Sequence, residues 1–214
     1  MEDKITLEVG VSDGFDTEKI IQKYKLPHYG FEPVPYMRNI LNKKFKTNPN
    51  VHITEAAIDL TDGMKNFNLS NPNGTFTDGT NRKIHPYGCS SLHEFSDALT
   101  IKWPGRPDFQ VVEKIKVKTM RLDTFFEENN FKGEIEFMHC DAQGSDINVL
   151  KSMGKYLRCV KHGKIEVALV TELYKDTGNN VKNAVTFLRD NGFNCNEPTG
   201  RHSHEADIVF TRRR

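Results

Sequence analysis

Residues 5–24 read ITLEVGVSDGFDTEKIIQKY, and this stretch decides the fold class of the chain. Residues 5–9 have the apolar pattern of a strand, residues 10–14 begin and end with glycine, and residues 16–24 have the spacing of an amphipathic helix. A strand that leads through a glycine-bearing turn into a helix is the first half of a βαβ unit. Ligands of open sheets built from such units bind at the carboxyl ends of the strands, so we look for a site at this turn.

The same alternation continues along the chain and predicts an α/β protein with a mostly parallel sheet. Predicted strands lie at 28–32, 51–58, 111–117, 134–140 and 165–171, and predicted helices at 35–45, 122–130, 146–153 and 181–190. Ser145 is a candidate cap for the third of these helices. Residues 66–88 are rich in Asn, Gly, Thr and Pro and predict a long surface loop. Residues 193–196 and 207–211 predict a closing pair of strands.

Composition excludes several classes of protein. The 214 residues include 30 Lys and Arg against 29 Asp and Glu, a net charge of +1, which argues against a main role in gripping nucleic acid or an anionic membrane. The sequence has no apolar run long enough for a membrane span and no secretion signal. Its four cysteines show no CxxC spacing, so we expect a reducing, cytoplasmic compartment rather than a disulfide scaffold or zinc ribbon.

Chain length and the position of the first strand bear on domain organisation. A chain of 214 residues suits a single α/β domain covering residues 1–214. The first predicted strand begins almost at Met1. A domain cut from a longer polypeptide and a compact protein that starts here are both consistent with that position.

The turn after the first strand does not have the dinucleotide-binding pattern. GxGxxG would require glycine at positions 12 and 15, which hold Ser12 and Phe15. Glu8 and Asp13 would repel a pyrophosphate, which prefers bare N–H groups at a positive helix end. They would attract an ammonium or a sulfonium, and S-adenosylmethionine carries both and has no phosphate. A purely structural βα loop remains the alternative.

An acidic residue follows the second predicted strand at the spacing that a nucleoside ligand requires. Glu32 lies 18 residues after Gly14, within the segment Gly30-Phe31-Glu32-Pro33. A carboxylate at this place accepts hydrogen bonds from ribose hydroxyls. A lone acid after a strand is also a common surface residue, so Glu32 indicates a nucleoside site only in combination with the turn.

Six segments together resemble the FkbM family of class I methyltransferases. They are residues 7–17, Phe31-Glu32-Pro33, Ala56-Ala57-Ile58-Asp59, Gly88-Cys89-Ser90-Ser91-Leu92, residues 117–123, and residues 135–151, which read IEFMHCDAQGSDINVLK. The last segment is the most specific. It departs from the family at His139, where the family commonly has Lys, at Gln143, where it often has Glu, and at Asp146. The chain is also similar to methyltransferase domains at the ends of multidomain viral glycan-building enzymes, which would place it in a host cytoplasm.

The resemblance implies a Rossmann-like class I methyltransferase fold. That fold has a mostly parallel seven-stranded sheet with an antiparallel C-terminal strand, helices on both faces and, in this chain, an inserted loop region around residues 64–117. The family implies S-adenosyl-L-methionine as cofactor and a sugar or glycan hydroxyl as acceptor, with a deoxyhexose such as rhamnose as one candidate. The cofactor residues it implies are Glu8, Gly10, Ser12, Asp13, Gly14, Thr17, Glu32, Pro33, Ala57, Ile58, Asp59, Ser90, Ser91, Asp141 and Ala142.

The acceptor side is predicted around the end of the fourth core strand, residues 134–140. A hydroxyl is a poor nucleophile, so a base or a metal should help to remove its proton. Asp141 is the first candidate and His139, on the same side of the strand, is the second. Gln143 could bind a sugar hydroxyl, and Glu172 could complete an acidic site or, with Asp141, hold Mg²⁺ or Mn²⁺.

Each of these residues also has a structural interpretation. Asp141 could cap the next helix, His139 could be a hydrogen-bonded core histidine, and Glu172 could be a surface acid. Two other functions stay open at this point. A nicotinamide-dependent oxidoreductase is disfavoured by the glycine pattern, and a non-catalytic partner-binding domain by the charge arrangement around the turn. The sequence does not indicate an oligomeric state.

Overall fold

A computed structural model describes residues 1–72, 87–102, 106–169, 173–200 and 205–213. The strands are β1 (Lys4–Val9), β2 (His28–Phe31), β3 (Val51–Thr54), β4 (Ala57–Ile58), β5 (Gly63–Ser70), β6 (Val111–Met120), β7 (Glu134–Cys140), β8 (Val160–Ala168), β9 (Phe193–Cys195), β10 (Thr199–Gly200) and β11 (Glu205–Arg212). The helices are α1 (Phe15–Tyr24), α2 (Pro35–Lys44), α3 (Asp97–Lys102), α4 (Leu122–Glu128), α5 (Asp146–Ser152) and α6 (Val181–Asp190). Short 3₁₀ helices occupy Pro107–Phe109 and Gly154–Cys159.

The main sheet has the strand order β10-β11-β8-β7-β1-β2-β3, with β9 also paired to β11. The five strands from β8 to β3 are parallel, and β11 is antiparallel to β8. β9 and β10 pair with different parts of β11, near Phe210 and near Ala206 respectively, so eight strands fill seven positions. This arrangement confirms the predicted α/β fold with its antiparallel C-terminal strand.

The central strands are apolar because helices cover both faces of the sheet. Ile5 and Leu7 of β1 and Ile135 and Met138 of β7 are fully buried. Burying each such side chain contributes roughly 1.5–3 kcal/mol, so this strand pair is a major stabilising element of the core. The site described below therefore rests on a rigid sheet edge.

The predicted third strand is wrong in its extent. Residues 51–58 were expected to form one strand, but β3 ends at Thr54, and β4 leaves the main sheet to pair in parallel with β6. The short turn between them includes a hydrogen bond from the Ala56 N–H to the Thr54 carbonyl. This turn brings Ala57 and Ile58 to the edge of the sheet where the other strands end.

The predicted loop at 66–88 is also wrong in its first part. Residues 66–70 belong to β5, which pairs antiparallel with β6. The buried Phe67 and Leu69 alternate with Asn66 and Asn68, a period of two that the high asparagine content obscured. The pairing of 111–117 with this region is confirmed, and residues 73–86 lie outside the described ranges.

Two further local predictions need correction. Ser145 occupies the N-cap position of α5 but makes no capping hydrogen bond, because its Oγ pairs with Nε2 of His93 at 3.0 Å. The strand predicted at 165–171 begins five residues earlier, at Val160, and ends at Ala168. Within the described ranges, no helix has the length and apolar character needed to cross a membrane.

Candidate active site

A cavity of about 460 Å³ opens where β1, β2, β7 and β8 end. Its walls are built from the connections that follow these strands and from the segment at residues 87–92. The predicted site residues that line it are Glu8, Gly10, Ser12, Asp13, Glu32, Pro33, Ala57, Ile58, Ser90, His139, Asp141, Ala142 and Gln143. The structure therefore brings together the candidates from five separate stretches of sequence.

The glycine at position 10 is required by the approach of two connections. Gly10 has φ of 83°, and a Cβ on it would lie 1.9 Å from the backbone oxygen of Asp141. The Asp141 N–H donates to the Val9 carbonyl at 2.9 Å, which holds the ends of β1 and β7 together. Only glycine allows the turn after β1 to pass under Asp141 at this distance.

The other end of the turn is shaped by Gly14 and Asp13. Gly14 has φ of 74°, and a Cβ there would meet the side chains of Phe45 and Leu41 at 2.7 and 2.9 Å. Oδ1 of Asp13 accepts from the Phe15 N–H at 3.0 Å and so fixes the start of α1. The sequence pattern E-x-G-x-x-x-G thus reflects packing constraints around an open turn.

Glu32 is a buried carboxyl group in the cavity wall, held there by two backbone N–H groups. Its Oε2 accepts from the Ser12 N–H and its Oε1 from the Val34 N–H, both at 2.8 Å. Burial, partly offset by these hydrogen bonds, raises the pKa of Glu32 to about 7. Each oxygen has a second lone pair, so the carboxylate can accept further hydrogen bonds from the cavity.

Glu8 has a different environment from the one predicted. Oε1 of Glu8 pairs with Nδ1 of His139 at 3.0 Å. Oε2 of Glu8 lies 3.1 Å from Nε2 of His28 and also accepts a hydrogen bond from the Thr17 hydroxyl. Burial alone would raise the pKa of Glu8, but the two histidines lower it to about 2. Both of its oxygens are therefore already engaged by protein groups. His28 was not predicted as a site residue, and Thr17 acts on Glu8 from outside the cavity wall.

Three further predicted cofactor residues, Gly14, Asp59 and Ser91, do not line the cavity. Gly14 begins α1, and Asp59 is ion-paired with Lys65. The Ser91 hydroxyl donates to the backbone oxygen of Gln143 at 2.7 Å. These three residues therefore support the structure around the cavity, whereas Ser90 lines the cavity itself.

One end of the cavity is apolar. Ala57 and Ile58 line it together with Phe31, Met37 and Phe67. Sequence reasoning missed Met37 and Phe67, although Met37 lies on the buried face of α2 and Phe67 has the period-two pattern of β5.

The other end of the cavity is polar and acidic. Asp141, Gln143, Glu166, Glu205 and Arg106 line it. Burial and the neighbouring Asp141 raise the pKa of Glu166 well above its usual range and that of Glu205 to about 8. Glu166 and Glu205 were not predicted as site residues. Glu166 lies in a strand that was predicted, two residues before the end of that strand.

The metal prediction finds no support in the structure. Among the described residues, no group of three or more His, Cys, Asp or Glu side chains is arranged to hold a metal ion. Glu172, the predicted partner of Asp141, lies outside the described ranges.

A family model and several solved structures are similar to the chain. The model described as "Methyltransferase FkbM domain" matches residues 8–195. No curated protein matches the chain.

Three of the similar solved structures illustrate the likeness. WbdD in complex with the kinase inhibitor LY294002 gives a TM-score of 0.52 at 6% identity, covering 98% of this chain and 35% of that one. Fibrillarin from Aeropyrum pernix with natively bound S-adenosyl-L-methionine gives 0.47 at 10% identity, with coverages of 98% and 66%. A SAM-dependent methyltransferase from Aquifex aeolicus gives 0.46 at 12% identity, with coverages of 99% and 83%.

At 6% identity, the likeness to WbdD bears on the fold alone. The chain spans about a third of the length of WbdD and about two thirds of that of the Aeropyrum pernix fibrillarin.

Proposed function

This chain belongs to the FkbM methyltransferase family, and we propose that it transfers a methyl group from S-adenosyl-L-methionine to a hydroxyl of a sugar or glycan. The observation that carries the cofactor part is Glu32, a buried carboxylate that two backbone N–H groups hold at the cavity wall. A deoxyhexose such as rhamnose is one candidate acceptor. The sugar part rests on the family and on the polar end of the cavity.

The residues of the cavity suit the parts of this cofactor. Glu32 would accept hydrogen bonds from the ribose hydroxyls, and the apolar wall at Ala57 and Ile58 would contact the adenine. Ser12, Pro33, Ser90 and Ala142 complete this wall. When bound, the cofactor supplies an electrophilic methyl group on a sulfonium.

The charge of the cavity also agrees with this cofactor. Asp13 and Asp16 line the cavity near the turn after β1, and Glu8 adds a buried negative charge behind them. Such a wall favours a ligand with a sulfonium and an ammonium and disfavours a pyrophosphate. The same charges, with Ser12 and Phe15 at the positions where GxGxxG needs glycine, argue against a nicotinamide-dependent oxidoreductase.

Two residues can take the proton that the acceptor hydroxyl loses. Asp141 projects from the end of β7 into the polar end of the cavity, and His139 lies two residues before it on the same strand face. The bonds between His139, Glu8 and His28 place His139 deep against β1. We therefore assign proton removal to Asp141, whose Oδ1 accepts a hydrogen bond from the Gln143 amide.

The test combines cofactor binding with an acceptor screen. The protein is titrated with S-adenosylmethionine and S-adenosylhomocysteine, and is then incubated with methyl-labelled cofactor and a panel of methyl glycosides. Micromolar binding of both cofactor forms and label transfer to a glycoside would support the proposal. Cofactor binding without transfer to any glycoside, amine or protein would favour a partner-binding domain that keeps the fold.

A further inference from the structure

Gln143 ties together two carboxylates on the cavity wall. Its Nε2 donates to Oδ1 of Asp141 at 2.5 Å and lies 3.4 Å from Oε2 of Glu166. Both carboxyl groups belong to the same region of the sheet, because Cys140 of β7 pairs with Ile165 of β8 in the residue step just before them. Asp141 and Glu166 therefore face the cavity side by side.

The amide between them is held from behind. Oε1 of Gln143 accepts from the Tyr174 hydroxyl at 2.6 Å, and its backbone oxygen accepts from the Ser91 hydroxyl at 2.7 Å. Gln143 has φ of 48°, and a Cβ on the next residue, Gly144, would lie 2.8 Å from the Tyr174 ring. These contacts orient the amide so that its NH₂ group points at the carboxylates, which accept hydrogen bonds.

The identity of residue 143 follows from this arrangement. A glutamate here would place a third carboxyl group against Asp141 and Glu166, and like charges at such distances repel. The amide instead donates to the pair.

The pair is suited to a neutral partner with two adjacent hydroxyl groups. Burial and the nearby Asp141 raise the pKa of Glu166, so its carboxyl group can carry a proton and both donate and accept hydrogen bonds. Asp141, one residue beyond the end of β7, can accept the proton of one hydroxyl while Glu166 bonds to the next one. A compound with a single isolated hydroxyl would bond to only one of the two carboxyl groups, so it would form one hydrogen bond fewer than a vicinal diol.

From this geometry we propose that Glu166 is a specificity-determining residue, and that the acceptor presents a vicinal diol to Asp141 and Glu166. Tyr174 acts as a positioning residue through Gln143. The proposal rests on the proposed function, since it concerns the acceptor end of the same cavity.

The experiment compares each methyl glycoside that accepts a methyl group with two analogues, each lacking one hydroxyl next to the methylated position. We expect the wild-type kcat/KM to fall about 10- to 100-fold for one analogue. In Glu166→Ala, the kcat/KM of the parent glycoside should exceed that of this analogue by less than about 3-fold, because the parent also loses its contact with residue 166. Glu166→Gln keeps one accepting oxygen, so it should retain part of the wild-type difference in kcat/KM between the parent and the analogue. Tyr174→Phe should lower kcat with both substrates, and Glu136→Gln on β7, outside the cavity wall, should behave as wild type.

Cofactor titration keeps the outcomes separate. Unchanged affinity of Glu166→Ala for S-adenosylhomocysteine shows that the variant is folded and that only the acceptor end has changed. The proposal is overturned if Glu166→Ala keeps the full ratio, or if wild type methylates the parent and both analogues equally. Cofactor binding with no transfer to any glycoside would overturn this proposal and the sugar part of the proposed function, while the methyltransferase part would stand.

Discussion

The substitution of Glu32 by alanine tests the cofactor assignment at one carboxyl group. Glu32→Ala removes the acceptors of the Ser12 and Val34 N–H groups and, in the proposed complex, of two ribose hydroxyls. A hydrogen bond to a charged group is worth about 1.5–3 kcal/mol, and water entering the vacated space restores part of it. We therefore expect S-adenosylhomocysteine binding to weaken by about 1–3 kcal/mol, which is roughly 5- to 150-fold in Kd.

Isothermal titration calorimetry measures this change directly. Glu55→Ala is the matched control, because Glu55 is a glutamate near the end of β3 that is 56% exposed and does not line the cavity. The control should bind the cofactor as wild type does. Thermal unfolding without ligand shows whether each variant is folded at the temperature of the titration.

The pH dependence of Glu32 supplies a second readout. Its pKa is raised from 4.5 to about 7, so its stabilising contribution is present below pH 4.5 and is lost as pH rises through 7, by up to about 3 kcal/mol. Ribose hydroxyls donate to the ionised form, so wild-type affinity should rise over the same interval. Glu32→Ala should bind with little pH dependence there. Unchanged affinity of Glu32→Ala at pH 8 would refute the ribose assignment.

Three other predictions address the base, the turn and the buried acid. Asp141→Asn should leave S-adenosylhomocysteine affinity within about 2-fold and lower turnover about 10²–10⁴-fold in a labelled-methyl assay, and wild-type turnover would show that Asp141 is not the base. Gly10→Ala should destabilise the protein by at least about 1–3 kcal/mol in thermal unfolding, because it adds a clash with Asp141 to the strain of a positive φ. Gly192→Ala has a similar φ but no atom within 4 Å of the new Cβ, so an equal loss there would show that the clash contributes nothing. Glu8 has a pKa lowered to about 2, so its contribution is present above pH 4.5 and is lost as pH falls from 4.5 through 2. Glu8→Gln should therefore remove up to about 3 kcal/mol of this acid-induced loss in the free energy of unfolding. Urea titrations at several pH values measure that loss, and an unchanged loss in the variant would contradict the role assigned to Glu8.

The sequence was sufficient for the parallel core because two independent signals agreed there. The apolar strand pattern and the glycine-bearing turn both marked β1, and β7 lies largely within the most specific of the family-like segments, residues 135–151. The sequence predicts that Gly10 is a constrained position, but it does not show the cause of the constraint. The close approach to Asp141 joins residues 131 positions apart, and no local pattern reports such a contact.

Only β6 of the second sheet was predicted as a separate strand, because β4 and β5 have weak local signals. β4 has only two residues, and β5 alternates apolar side chains with asparagine, a residue that is depleted in strands. Pairing with the ten-residue β6 overrides that preference. The position of β4 beside the cavity is thus a tertiary effect.

The acceptor end was the least predictable part of the site. Asp141 and Gln143 stood out because they lie next to each other in a family segment. Glu166 lies in a different strand and is brought beside them only by the pairing of β7 with β8. Glu8 shows the opposite case, since its position in the motif suggested a direct ligand contact, whereas His28, His139 and Thr17 already occupy its oxygens.

The most direct test of the account is a calorimetric titration of the folded protein with S-adenosylmethionine and S-adenosylhomocysteine, with and without EDTA. We predict micromolar binding of both, a loss of affinity in Glu32→Ala and no effect of EDTA on cofactor binding. Failure of the folded protein to bind either compound would contradict the proposed cofactor, and with it the assignment of the cavity as the site of methyl transfer.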